Sequence, residues 1–123
     1  MITKFLLAAL LVGVASAASA QTDRVEHFKG LPADTLEQAV TNFSEYNGKL
    51  RTVLDKDDLD AQDLATVHQL TYTIENALAK INAELTALAE TLEEVHIASE
   101  SADVDTVKTK GREYLSIAAE VVD

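Results

Sequence analysis

Apolar side chains recur at alternating intervals of three and four residues along three stretches of the chain. The first stripe is Leu36, Val40, Phe43, Leu50 and Leu54, with Asn47 as its polar member. The second runs without error through Leu64, Val67, Thr71, Ile74, Leu78, Ile81, Leu85, Leu88, Leu92 and Val95. The third holds Val104, Val107, Gly111, Tyr114, Ala118 and Val121. This alternation averages to the heptad spacing of helices that pack with a left-handed twist. It predicts an all-α domain over 34–123, with three antiparallel, heptad-packed helices at about 34–54, 60–98 and 103–122.

The ends of these stretches carry their own signals. Pro32 is tolerated near a helix start, and Asp34 or Thr35 can cap the first helix, with Gln38 completing a capping box. Asp60 and Asp103 are placed to cap the second and third, with Asp63 and Asp105 in the first turns, where the helix dipole favours an acid. The connections around Asp55–Leu59 and Ser99–Ala102 are short, so sequential helices must lie antiparallel. Residues 21–33 have no helical period and read as an extended arm whose Val25, Phe28 and Leu31 fold over the bundle.

Turning back through the two short connections fixes a register. Leu36 falls near Leu78 and Val121 near Ile81, so the first and third helices run out against the middle of the second. The apolar extras on the second helix are Leu70 and Ala77 in its first half, and Ala89 with the His96 ring in its second. They predict that the outer helices lie on opposite shoulders. Gly111 is expected to let the third helix approach Leu88 closely, and Asn47 to sit beside His68. Any cross-section of such a chain is only two helices thick. Two copies stacked about a two-fold axis near Leu78 to Leu85 would make a four-helix cross-section, so a homodimer is expected. A bent second helix is the competing solution, disfavoured because Ala79 to Ala89 contains no residue that kinks a helix.

The first twenty residues change the picture of where the chain works. A short basic start, the apolar run Phe5–Ala15 and the small residues Ala18-Ser19-Ala20 form a secretory signal pattern, with cleavage expected before Gln21 and a periplasmic or secreted location. The apolar run is too short to span a bilayer, and no membrane association is expected after cleavage. The whole chain carries a formal net charge of -11. That balance argues against nucleic acid, whose affinity comes from Lys and Arg on phosphates. The sequence has no cysteine, which removes thiolate chemistry, disulfides and covalent c-type haem.

Candidate chemistry is sparse. Glu93-x-x-His96 has the spacing used by di-iron carboxylate bundles, but those need two such motifs and two further glutamates. His68 is a possible pH-sensitive contact or ligand. It lies 28 positions from His96, too far along one helix to share a metal within the chain. The acidic run Asp55–Asp63 lacks the glycine and closing glutamate of an EF-hand loop and reads as caps and solvated loop. No catalytic residue, cofactor or metal is therefore assigned. His68, Glu93 and His96 stand as the candidate ligands of an alternative reading, a carrier whose histidines are brought together by dimerisation.

The segments "DRVEHFKG", "TLEQAVTNFSEYNGKL", "HQLTYTIENALAKI" and "AELTALAETLEEVH" resemble an uncharacterised family of small exported proteins of Gram-negative bacteria, a domain of unknown function. The likeness covers nearly all of the chain after residue 20 and implies export and a helical fold without implying an activity. In size, compartment and helix order the chain also resembles the soluble periplasmic four-helix cytochromes b. That family implies haem ligands from a methionine in the first helix and a histidine in the last. Here Met1 is the sole methionine and the third helix has no histidine. The reading that results is an acidic, exported helical interaction or structural module, not an enzyme, acting as a homodimer or on another periplasmic protein.

Overall fold

The computed structural model describes residues 29–122. The expected cleavage site after Ala20, and the arm residues Val25 and Phe28, lie outside the described residues. Within them the chain forms α1 (Leu36–Leu54), α2 (Ala61–Glu100) and α3 (Val104–Val121), with no strand. The boundaries lie within two residues of the expected ones, and the expected caps set them. Thr35 Oγ1 accepts the Gln38 N–H at 3.1 Å, while the Gln38 side chain reaches back to the N–H of Asp34 at 2.8 Å. Asp60 and Asp63 cap α2 reciprocally, each carboxylate accepting the other's N–H at 2.8 and 3.1 Å. Asp103 takes both the N–H and the hydroxyl of Thr106, at 3.1 and 2.7 Å. Just before it, Ala102 has a φ of +56°, and the Asp103 N–H returns to the carbonyl of Ala98 at 2.9 Å. A left-handed residue closing a helix in this way is normally glycine.

α2 has 40 residues in one unbroken helix, about 60 Å at 1.5 Å per residue. α1 packs along its first half and α3 along its second, and the two short helices meet where their far ends come together. That junction is the main core. Leu36, Ala39, Ala77 and Ile81 are buried there, with Val40, Phe43, Ile117 and Val121 packed against them. The expected register therefore holds along the helix axes.

The rotation of α2 about its axis differs from expectation. Its buried apolar residues are Leu70, Ala77, Ile81, Leu88 and Ala98. Leu64, Leu78, Leu85 and Leu92, expected in the seam, are 59, 39, 40 and 46% exposed. On a wheel of 100° per residue, Leu70, Ala77, Ile81 and Leu88 fall within a narrow arc. α1 and α3 thus share one shoulder of α2 instead of taking opposite ones. Close approach explains the choice. Ala39 and Ala77 are fully buried, and small side chains let helices come near enough to gain contacts that a pair of leucines would hold apart. Sharing a shoulder also lets the ends of α1 and α3 meet in one junction, with Leu36 buried and Val121 packed against the cluster. Gly111 plays no part in close packing: a Cβ built there meets nothing within 4 Å.

Candidate functional site

The three helices form a layer with two unlike faces. One face is closed by the segment leading into α1. Gly30 has a φ of +55°, a conformation that L side chains resist, and a Cβ there would stand 2.7 Å from the N of Thr73. The backbone thus lies directly on α2. The N–H of Leu31 donates to Thr73 Oγ1 at 2.9 Å, and Asn76 Nδ2 donates to the carbonyls of Leu31 and Lys29 at 3.0 and 3.4 Å. From α1, Asn42 Nδ2 donates to the carbonyl of Pro32 at 3.2 Å. Thr73 is wholly buried and Asn42 nearly so. Of the expected arm, residues 29–33 lie on the bundle through their backbone; the Leu31 side chain is 44% exposed. Further along this face, Lys110 of α3 bridges to Glu94 of α2 at 3.4 Å and to Glu113 at 3.1 Å. These two carboxylates raise the Lys110 pKa, the bond to Glu113 contributing most.

The other face carries the leucines that rotation left out of the seam. Leu64, Thr71, Leu78, Leu85 and Leu92 are seven residues apart and form one row along α2. The Glu94–Lys110 bridge marks one edge of the α2–α3 seam. On the helical wheel Leu85 and Leu92 of α2, and Leu115 and Val122 of α3, fall on the opposite edge. Leu115 and Val122 are 65 and 68% exposed. Leu54 extends the same face on α1. Contiguous apolar patches of this extent are uncommon on the surfaces of monomeric proteins. Sequence reasoning found Leu54 and the α2 row but assigned them to the seam inside the chain.

The sequence-derived candidates do not converge. His68 is exposed, and its Nε2 lies 3.1 Å from the Tyr72 hydroxyl one turn on, the two rings meeting edge to face. It is therefore partnered within its own helix. His96 Nε2 pairs with Glu100 at 3.2 Å, an exposed contact, and Glu93 is also exposed. His68 and His96 stand about 42 Å apart along the unbroken α2. Among the described residues no three His, Asp or Glu side chains gather in a metal-binding arrangement. The acidic turn is spent on structure: Asp63 accepts Lys56 Nζ at 2.5 Å as well as its capping bond. The Lys56 ammonium, then the Asp60 backbone, hold the Asp63 carboxyl below the usual carboxylate range. Thr106 does the same for Asp103. No described helix is long and apolar enough to cross a membrane. Asn42, Thr73 and Asn76, which anchor the arm, carry no periodic signal that would have singled them out.

The model of a family of unknown function, DUF6746, matches residues 1–123. No curated protein and no solved structure matches the chain.

Proposed function

The chain belongs to the DUF6746 family, whose function is unknown, and on that premise we propose an exported helical interaction module that acts by binding through its open leucine face. The observation that carries this reading is the asymmetry of the layer. One face is closed by a hydrogen-bonded backbone and an ion pair, while the other leaves Leu78, Leu85 and Leu92 at least 39% exposed in a straight row. Exposing large aliphatic side chains in register costs about 25 cal/mol per Å² of apolar surface left in water, a cost that binding removes. The signal pattern at Phe5–Ala20 supports work outside the cytoplasm. Within one chain His68 and His96 stand about 42 Å apart, which supports binding over a carrier or catalytic role built from a single chain.

The test compares the unaltered protein, purified from its own host, with a chain bearing Leu78→Glu and Leu85→Glu. The doubly substituted chain should keep its helical circular dichroism and lose every association of the unaltered protein. The unaltered protein should carry no stoichiometric metal and no Soret band. Either signal would replace this reading with the carrier.

A further inference from the structure

We propose that the open face is closed by a second copy of this chain, the two α2 helices lying antiparallel about a two-fold axis between Leu78 and Leu85. The inference rests on the reading of that face as a binding surface and names its occupant. An axis at that point lies within about a turn of the middle of α2, so the two helices overlap along nearly their whole length. Leu78 then faces Leu85 of the second copy, and Thr71 faces Leu92. Each protomer's α1 half lies beside the other's α3 half, giving four helices in every cross-section, the arrangement that encloses a core.

Charge chooses both the partner and the direction. Residues 64–74 contain no Asp, Glu, Lys or Arg; in 90–100, where Glu94 is spent on the closed edge, Glu93 and Glu100 stand on the side of α2 that carries the leucine row. Antiparallel pairing lays the acidic end of each α2 along the uncharged stretch 64–74 of the other. Parallel pairing would lay acid on acid, and like charges facing each other across an interface are costly. The same helix thus supplies both complementary surfaces, which is the property of a self-complementary two-fold interface. The area is sufficient. A strip about 60 Å long and about 10 Å wide gives roughly 600 Å² per protomer, and the flanking residues of α1 and α3 bring it to about the 800 Å² of a standard stable interface.

The sequence has no cysteine, so single introduced cysteines report the geometry cleanly. Asn82 and Ala89 are both exposed on the side of α2 that carries the leucine row. In the antiparallel dimer, Asn82→Cys lies beside its own counterpart, within disulfide reach. Ala89→Cys is separated from its counterpart by about 22 Å along the axis. Sedimentation equilibrium of the full chain at micromolar concentration should give twice the chain mass, falling to one chain mass in Leu85→Glu. Under mild oxidation the Asn82→Cys chain should form a covalent dimer and the Ala89→Cys chain should not. Cross-linking of both variants, or of neither, overturns the antiparallel axis. A single-chain mass for the unaltered protein overturns the second copy as occupant. If that monomer's associations are still lost on Leu78→Glu with Leu85→Glu, the face belongs to another protein or to residues 1–28, and the binding reading stands.

Discussion

The two halves of this molecule are built on the same helix and solve the same problem differently. α1 contributes four buried residues, Leu36, Ala39, Asn42 and Val53, whereas α3 contributes none. The difference is a third layer. In the α1 half, residues 29–33 lie across α2 and are pinned by Thr73, Asn76 and Asn42. Among the described residues the α3 half has no such cover, and its closed edge is an ion pair between half-exposed side chains, the kind that contributes little. Two helices alone bury only the line along which they touch. What turns that line into a core is whatever lies over it: the backbone of residues 29–33 on the closed face of the α1 half and, by our proposal, a second copy on the open face of both halves.

The largest effect that would break this contrast is at Leu36. It is 6% exposed in the junction, and Leu36→Ala should destabilise the fold by about 2–5 kcal/mol, by the same amount at every protein concentration. Leu115→Ala on the open half should change the stability of the dilute chain by less than about 0.5 kcal/mol. Its cost should grow as concentration rises and the second copy binds. Urea titrations at two concentrations compare the pair. Next is the strap. Gly30→Ala forces a side chain into a left-handed backbone and against the N of Thr73, and should cost about 1–3 kcal/mol. Its hydrogen exchange should rise in residues 29–42 and stay unchanged in α3.

Smaller effects sharpen the contrast at the helix ends and on the outer surfaces. Ala102→Gly relieves a left-handed alanine at the α2–α3 turn and should stabilise by about 1 kcal/mol. Gly48→Ala, where a Cβ meets nothing within 4 Å, should raise the melting temperature by the equivalent of up to about 1 kcal/mol through helix propensity alone. The smallest effect is of pH. Asp63 and Asp103 have carboxyl pKa values below those of the unfolded chain. Their contribution is complete above the unfolded value of about 4 and is lost as pH falls through the folded values. Melting temperature should therefore fall on acidification in that range, and Asp63→Asn should flatten part of the slope.

How far the sequence was readable follows from which forces leave a periodic trace. Helix number, ends and axial register were legible because Thr35, Asp60 and Asp103 cap where the apolar pattern begins, and because short turns leave one way to fold back. The rotation of α2 was not legible. Counting hydrophobicity favours a seam of leucines, while helix approach favours Ala39 and Ala77, and the two criteria differ by about half a residue step. The strap was legible as an arm but not as a hydrogen-bonded cover. Its anchors Asn42, Thr73 and Asn76 look like ordinary surface polar residues until a backbone lies on them. The leucine row was visible from the start. That it faces outward could be learned only once the seam had been located on the neighbouring shoulder.

The central claim is that the α1 half carries a cover from its own chain, whereas the α3 half depends for its cover on the second copy. Hydrogen–deuterium exchange of the unaltered protein, followed from low nanomolar to high micromolar concentration, tests it directly. Peptides from residues 29–54 should be strongly protected throughout. Peptides from α3 should exchange fast when dilute and gain protection along the same concentration curve as the change in mass. Equal protection of α1 and α3 at every concentration would contradict the account.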